Sequence, residues 1–290
     1  MMINKVFKTL YQSDNHPENI WIICPFAGGS QSVFNSWTKL DKETLPRKSL
    51  VMLATYPGRD QRISEQPMNT IHDLADDIFD AFLDWKEKNT FPLNTKIRLC
   101  GHSMGAQVAF EIGKKIEEHY GSASPVTQII LSGCHAPHLE SRRKLSQLND
   151  NDFVDQLINI GSGSSVLKQH PELQPIFLPM LRADFFATET YQKKLNCAPQ
   201  LHFIPCTLVF GESDPEAWQS EVEQWTNWFS TSIKNNMQLV AVAGEHFYLT
   251  TTPAVFIDAV MNHLPSSTLL NSNTTNIGTT SAIFGGNHGY

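Results

Sequence analysis

Six short apolar runs, separated by polar and helix-like stretches, set the strongest limit on how this chain can fold. The runs do not alternate apolar with polar residues, which indicates strands that are buried on both faces. They are Ile20 to Cys24, Leu50 to Ala54, Ile97 to Cys100, Ile129 to Ser132, Leu208 to Phe210 and Leu239 to Val242. Between two runs, the stretch from Ile71 to Lys88 repeats apolar residues at helical spacing. Strands that alternate with helices predict an α/β fold with a mainly parallel sheet flanked by helices.

Composition narrows the class of protein. The 290 residues include 29 acidic and 22 basic side chains, a formal net charge of -7, so the chain lacks the basic surplus that binds nucleic acid. No apolar stretch is long enough to span a membrane and no leader peptide is visible, so we expect neither membrane attachment nor export. The five cysteines are scattered without CxxC pairs. This favours buried free thiols in the cytoplasm over disulfides or a zinc site.

The alternation of strands and helices is interrupted from about His138 to Pro199. Two helices are predicted there, Asp150 to Ile160 and Pro175 to Thr190, with no convincing strand between them. We therefore interpret 138–199 as a helical lid inserted into a single domain of residues 1–263. Small polar residues at 160–165 predict a hinge or loop within the lid. Residues 264–290 carry no Asp, Glu, Lys or Arg and are rich in Ser, Thr, Asn and Gly, which is typical of a disordered tail.

A GxSxG motif, formed by Gly101, Ser103 and Gly105, comes directly after the third apolar run and directly before a predicted helix. This placement is typical of a nucleophile elbow, a tight turn that holds a serine hydroxyl above the sheet. The glycines leave room where a Cβ atom would collide with a neighbouring strand or helix. The three fixed positions alone are common by chance, but the strand and helix on either side make Ser103 the candidate nucleophile.

A serine nucleophile needs a base and an acid, which follow it in the order acid and then histidine on this kind of fold. His246 lies in a glycine-containing loop after the last apolar run, whereas His263 ends the last helix and His288 lies in the tail. We therefore predict His246 as the base. Asp214 follows the fifth apolar run and is the preferred acid, with Glu212 as the nearby competitor.

The loop after the first apolar run has the sequence PFAGGS, residues 25–30. Its two glycines and small alanine would let backbone N–H groups approach a substrate oxygen. Hydrolases of this type place one oxyanion donor after an early strand and take the other from the residue after the nucleophile. We therefore predict the backbone amides of Ala27 and Met104 as the oxyanion hole. A phosphate-binding loop is the rival interpretation, but the segment lacks the lysine of a P-loop.

Taken together, these segments resemble the type II (external) thioesterases that accompany non-ribosomal peptide and polyketide synthases, a branch of the α/β-hydrolase superfamily. The resemblance covers about Phe7 to His263 in six separated blocks. The blocks are PFAGGS at 25–30, YPGRDQR at 56–62, GHSMGAQVAFEI at 101–112, LPMLRADFFATETY at 178–191, GESDP at 211–215 followed by Trp218, and GEHFYL at 244–249. The resemblance implies an α/β-hydrolase fold with an inserted helical lid.

The resemblance also implies a function, the hydrolysis of acyl thioesters held on the phosphopantetheine arm of carrier proteins, which edits wrongly loaded or stalled synthases through an acyl-enzyme. The implied partners are acyl or peptidyl carrier protein domains. We expect no cofactor beyond the phosphopantetheine of the substrate, no metal, and a cytoplasmic monomer. Two alternatives stay open: a small-molecule carboxylesterase or lipase with the same triad, and a hydrolase-fold binding protein without catalysis.

The roles of some lid and loop residues stay open at this level. Six apolar lid residues form either an acyl pocket or ordinary core, namely Leu157, Ile160, Leu178, Leu181, Phe185 and Phe186. Arg59 and Arg62 could meet a phosphate, but bracing of the fold through carboxylates is the favoured interpretation. The run Arg142, Arg143, Lys144 is either a contact for an acidic carrier or a solvated face. Since the net charge repels an acidic carrier, docking would need a basic or apolar patch near the lid.

Overall fold

One central sheet organises the computed structural model, which describes residues 5–161 and 165–263. Its strands are β1 (Phe7–Gln12), β2 (Asn19–Cys24), β3 (Ser49–Ala54), β4 (Lys96–His102), β5 (Val126–Ser132), β6 (Cys206–Gly211) and β7 (Gln238–Val242). Their order across the sheet is β1-β3-β2-β4-β5-β6-β7. β1 runs antiparallel to β3, and the other neighbours are parallel. The predicted mainly parallel sheet is confirmed, and each of the six apolar runs lies in one of its strands.

The sequence pattern does not predict β1. Only Phe7 and Leu10 of this strand are buried, and its other side chains are half-buried or exposed. An edge strand has one neighbour and needs no continuous apolar run, because much of its surface faces water. The inner strands β2 and β3 are buried along almost their whole length, so they consist of apolar runs that can be recognised in the sequence.

The described α-helices cover both faces of the sheet. They are α1 (Ile71–Lys88), α2 (Met104–Tyr120), α3 (Asp150–Ile160), α4 (Ser165–Gln169), α5 (Gln174–Thr190), α6 (Gln219–Val222), α7 (Thr231–Lys234), α8 (Tyr248–Thr251) and α9 (Pro253–Asn262). Ile20 and Ile22 of β2 pack in one apolar cluster with α1 and α2, whereas Trp21 and Ile23 pack in a second cluster with α9. Among the described residues, no helix combines the length and the apolar character needed to cross a membrane.

The predicted lid is a layer of helices between β5 and β6. Its helices α3, α4 and α5 share an apolar cluster that is separate from the two clusters on the sheet. The Asn149 side chain accepts the backbone N–H of Asp152 at the start of α3, and Gly161 ends this helix in a left-handed conformation with φ 87°. The predicted hinge at 160–165 lies largely outside the described residues, as does the predicted tail 264–290. The assignment of residues 1–263 to one domain stays a prediction.

The cysteines are all free, and four of them are buried. Burial raises the pKa of the thiols of Cys24, Cys100, Cys134 and Cys206, so these side chains stay protonated at neutral pH. Cys197 differs from the expectation of buried thiols, because it lies on the exposed connection that leads out of the lid.

A buried carboxylate ties α2 to the chain that enters β6. Glu117 on α2 accepts the backbone N–H groups of His202, Phe203 and Ile204 at 2.7, 2.8 and 2.7 Å. Three amides in front of a strand would otherwise lack acceptors, which is costly away from water. This contact holds the start of β6 against the helix that follows Ser103.

We therefore expect Glu117→Gln to lower the free energy of unfolding by about 2–3 kcal/mol, because one amide oxygen cannot replace a charged carboxylate that accepts three hydrogen bonds. Urea denaturation followed by circular dichroism measures the loss. Glu118→Gln is the matched control, since Glu118 is the next residue on the same helix and is exposed. Equal stability losses in the two variants would contradict this account of Glu117.

Candidate active site

The strand order fixes where a site can form. The chain runs from β2 to β3 on one side and then returns to β4 on the other side of β2, so the order reverses between β2 and β4. Ligands bind outside the carboxyl ends of the strands at such a reversal. Ala27 lies in the loop after β2, and Ser103 follows β4. Asp214 and His246 come after β6 and β7, at the same edge of the sheet.

Ser103 sits in a strained turn with φ 54° and ψ -125°. A Cβ on Gly101 would overlap the carbonyl oxygen of Gly105, and a Cβ on Gly105 would overlap the carbonyl oxygen of Cys24. The Ser103 backbone N–H donates to the Ser132 carbonyl oxygen at 2.8 Å, which holds the turn against β5. This is the geometry of a nucleophile elbow, in which close backbone packing supports an unfavourable conformation.

The acid and the base predicted from the sequence are in contact. Asp214 Oδ2 lies 2.9 Å from His246 Nδ1, and the Asp214 side chain is fully buried. Its Oδ1 accepts the backbone N–H groups of Glu216 at 2.8 Å and Ala217 at 3.2 Å, which fix the carboxylate in place. The competitor Glu212 is exposed. The geometry therefore favours Asp214 as the partner of His246.

The ionisation of Asp214 is set by opposing effects. Burial by itself raises the pKa of this carboxyl, but the hydrogen bond and the charge of His246 outweigh it, so the pKa of Asp214 is lowered. An ionised Asp214 accepts the Nδ1–H of His246, which leaves Nε2 free to accept a proton. This tautomer is the one that a general base requires.

His102 contacts the backbone of His246, and the sequence patterns do not predict a role for it. Its Nε2 lies 2.7 Å from the His246 carbonyl oxygen and its Nδ1 lies 3.0 Å from the Ser132 hydroxyl. A carbonyl oxygen only accepts, so Nε2 carries the proton and Nδ1 accepts from Ser132. Burial, with the nearby His246 adding to it, lowers the pKa of His102 to about 3, so this ring is neutral at physiological pH.

The predicted oxyanion donors lie on either side of the elbow. Met104 is the first residue of α2, where a backbone N–H has no acceptor within the helix and where the helix dipole attracts negative charge. Ala27 lines the same cavity as Ser103 and His246. The next residue, Gly28, has φ 77°, a left-handed conformation that glycine adopts readily.

This cavity is small and lies beneath the lid. Its volume is about 90 Å³, well below the roughly 300 Å³ at which ligand sites begin. In the described part of the chain, the Ser103 hydroxyl forms no hydrogen bond with His246. In enzymes, a hydrogen bond of this kind commonly tightens only when substrate is bound. A long acyl chain therefore does not fit this cavity with the lid in its present position.

The six apolar lid residues divide into three groups. Ile160 and Phe185 line the cavity with Ser103. Leu157, Leu178 and Leu181 pack in the apolar cluster of the lid itself, which matches the alternative of ordinary core. Leu181 also lines a second cavity of about 370 Å³ on the far side of the 25–30 loop. Phe186 is 36% exposed and is not among the residues that line either cavity, because neighbouring residues of a helix point to different sides.

The arginines singled out from the sequence are paired with carboxylates. Arg59 contacts Asp184 at 2.7 Å and Arg62 contacts Asp77 at 2.6 Å, both with buried guanidinium groups, which supports the bracing interpretation. Arg142 and Arg143 lie at the cavity but are also paired with carboxylates, Arg142 with Glu221 and Arg143 with Glu216. Lys144 is exposed. Among the described residues, no cluster of His, Cys, Asp and Glu could hold a metal ion.

The close packing of the elbow predicts that Gly105 cannot be replaced without a loss of stability. We expect Gly105→Ala to lower the free energy of unfolding by about 3 kcal/mol or more, because the new methyl group meets backbone atoms of β2 that cannot move aside. Gly113→Ala in the same helix is the matched control, since its methyl group would meet the flexible end of the Ile129 side chain. Thermal unfolding measures both, and similar losses would contradict the packing argument.

Comparisons with known proteins agree with this geometry. A family model described as Thioesterase domain matches residues 20–267. The sequence is 34% identical over 259 residues to the probable anguibactin biosynthesis thioesterase AngT of Vibrio anguillarum, a match that covers 89% of this chain and 96% of that protein. It is 30% identical over 248 residues to the thioesterase PikA5 of Streptomyces venezuelae, covering 84% and 80% of the two chains.

A solved structure is similar over almost the same range. It is YbtT, the type II thioesterase from the yersiniabactin NRPS/PKS biosynthetic pathway, at 35% identity and a TM-score of 0.77, and the match covers 90% of this chain and 98% of that one. The predicted α/β-hydrolase fold and the predicted resemblance to type II thioesterases are both confirmed. The chain belongs to the thioesterase domain family, and it is a hydrolase that acts on thioesters.

Proposed function

We propose that this enzyme hydrolyses acyl thioesters on the phosphopantetheine arm of carrier proteins and so edits a non-ribosomal peptide or polyketide synthase. The observation that carries the proposal is that Ser103 and His246 line one cavity together with the apolar lid residues Ile160 and Phe185. Such a site suits an acyl group attached to a reactive carbonyl. The similarity to YbtT, a type II thioesterase from an NRPS/PKS biosynthetic pathway, and to AngT, a probable biosynthesis thioesterase, supports the proposal.

The proposed first half-reaction forms an acyl-enzyme. The Ser103 hydroxyl oxygen attacks the thioester carbonyl carbon while His246 Nε2 takes its proton, and Asp214 stabilises the resulting imidazolium. The backbone N–H groups of Ala27 and Met104 donate to the oxyanion. When the carbon–sulfur bond breaks, His246 returns the proton to the departing pantetheine sulfur. A thiol, with a pKa of about 8.5, leaves with little help from an acid.

The second half-reaction releases the acid. His246 removes a proton from water, the hydroxide attacks the acyl carbonyl carbon, and the same two amides hold the second oxyanion. The carbon–oxygen bond to Ser103 then breaks, and His246 gives its proton back to the serine oxygen. Every step uses side chains, backbone amides and water, so we propose no cofactor and no metal beyond the phosphopantetheine that the substrate brings.

The proposal includes the setting in which the enzyme works. Its partners are acyl or peptidyl carrier protein domains, and we propose that it acts on them as a cytoplasmic monomer, an environment that suits free thiols. Because Arg142 and Arg143 are already paired with carboxylates, they offer an acidic carrier little free positive charge. Docking through an apolar patch around the lid is therefore favoured over docking through this basic run.

The substrate class can be tested with a panel of acylated carrier proteins. We expect the parent enzyme to remove the acyl groups and Ser103→Ala to be slower by about 10³-fold or more. Mass spectrometry of the carrier reports hydrolysis, and the intact mass of the enzyme with a slow substrate reports the acyl-enzyme. Activity retained by Ser103→Ala would reject the serine mechanism. Faster turnover of a matched oxygen ester would identify a carboxylesterase, and no hydrolysis of any substrate would favour a binding protein.

The choice of acid is tested separately. We expect Asp214→Asn to reduce kcat by about 10³- to 10⁴-fold, because the amide cannot stabilise the imidazolium and favours the wrong histidine tautomer. Glu212→Gln is the matched control two residues away, and as an exposed substitution it is expected to change kcat by less than about twofold. Steady-state kinetics on one acyl-pantetheine thioester decides the point, and the opposite ranking would assign the role to Glu212.

A further inference from the structure

A lid residue reaches the backbone beside the proposed oxyanion hole. Asp184 lies on α5 and is completely buried. Its Oδ2 accepts the backbone N–H of Gly28 at 2.7 Å. Gly28 directly follows Ala27, whose N–H is one of the two proposed oxyanion donors. A carboxylate of the lid therefore fixes the peptide next to a catalytic amide.

Arg59 fixes the same loop from a second direction. Its guanidinium donates to both oxygens of Asp184 at 2.7 Å and to the Gly29 carbonyl oxygen at 3.2 Å. The 25–30 loop is thus held through the Gly28 N–H and the Gly29 carbonyl oxygen. A buried ion pair adds little net stability when compared with apolar packing, so stability alone does not account for this arrangement.

The lid approaches this loop with one face of α5. Leu181 lies one helical turn before Asp184, and its Cδ2 atom would be only 2.6 Å from a Cβ placed on Gly28. Gly28 has φ 77°, a conformation that is readily adopted by glycine and that the Asp184 contact holds. The conformation of the loop and the position of the lid are therefore mechanically linked.

We infer that Asp184 is a positioning residue that sets the Ala27 amide for catalysis when the lid is seated, with Arg59 as its partner. This inference rests on the proposed function, because it takes Ala27 as an oxyanion donor. Opening of the lid carries Asp184 away from Gly28 and loosens the donor, whereas closure over the substrate restores it. In the part of the chain that the structure describes, Asp184 forms hydrogen bonds with Gly28 and Arg59 and none with Ser103 or His246, so it acts through the loop.

Asp184→Asn tests the inference. In this variant an amide NH2 group, which cannot accept a hydrogen bond, replaces one carboxylate oxygen, so the two-pronged contact with Arg59 and the charge that strengthens the bond from Gly28 N–H are both lost. We expect kcat on an acyl-pantetheine thioester to fall about 100-fold, the scale of losing one oxyanion donor, with KM changed by less than about threefold. Affinity for an alkyl boronic acid, which forms a tetrahedral adduct with Ser103, is expected to fall by a similar factor. Affinity for a non-cleavable thioether analogue of the substrate stays unchanged.

A variant that keeps kcat within about threefold of the parent overturns the inference, as does one that loses thioether and boronate affinity equally. The matched control is Asp150→Asn, which removes the carboxylate partner of Arg182 within the same lid. Its kcat is expected to remain close to that of the parent. If Asp184→Asn does not fold, Arg59→Lys decides, because it keeps the charge and loses the two-pronged contact. We expect this variant to lose about tenfold in kcat with the same pattern of affinities, and an unchanged kcat overturns the inference.

The boronate arm separates this inference from the proposed function. Boronate binding needs Ser103 and the oxyanion donors but no carrier protein. A parent enzyme that binds the boronate and leaves acylated carriers intact would reject the proposed substrate, and the comparison of Asp184→Asn with Asp150→Asn would still decide the role of Asp184. A parent enzyme that binds no boronate would reject the proposed serine site and this inference together.

Discussion

The close contact between β4, α2 and the end of β2 is the constraint on which the site depends. Gly105 lies so near the Cys24 carbonyl oxygen that no side chain fits between them, and Gly101 lies equally near Gly105. This packing forces the chain to turn within one residue, which leaves Ser103 at φ 54°. The same turn places the free N–H of Met104 beside the serine. A looser contact would relieve the strain and also move the proposed nucleophile away from the proposed oxyanion donor.

Buried carboxylates then fix the loops that surround this turn. Asp214 accepts backbone amides from its own loop, Glu117 accepts those before β6, and Asp184 accepts one from the 25–30 loop. A carboxylate can satisfy several amides at once, and each bond to a charged group is stronger than one between neutral groups. Loops at the end of a parallel sheet lack partners in the sheet. These carboxylates therefore hold the loops in place, as hydrogen bonds between strands hold the sheet.

The parts of the fold and site that could be predicted from sequence are those with a local pattern. The inner strands could be predicted because both of their faces are buried, and Ser103, Asp214 and His246 could be proposed because they follow strands in the order typical of this kind of fold. β1 was not predictable in this way, because an edge strand needs few apolar residues. Contacts between distant segments were also out of reach. Nothing near Asp184 in the sequence indicates that it meets Gly28.

Side-chain direction was a further limit. Phe185 and Phe186 are both apolar neighbours in the lid, yet Phe185 faces the cavity and Phe186 faces solvent. Which face of α5 turns inward depends on how the whole lid seats on the sheet, and the sequence around these residues is apolar on several sides of the helix. The pairing of Arg142 and Arg143 with Glu221 and Glu216 could not be predicted either, because each partner lies more than 70 residues away along the sequence.

The small cavity and the lid contact together suggest where this enzyme discriminates between acyl groups. A cavity of about 90 Å³ is too small for a long acyl chain, so such a substrate needs the lid to lift. If Asp184 orders the 25–30 loop only when the lid returns, an acyl group that prevents full closure is bound but reacts slowly. Discrimination of this kind appears in kcat rather than in KM, because the missing interaction is one made only in the transition state. Selectivity would then depend on whether the lid can seat over the acyl group and not on a rigid pocket of fixed shape.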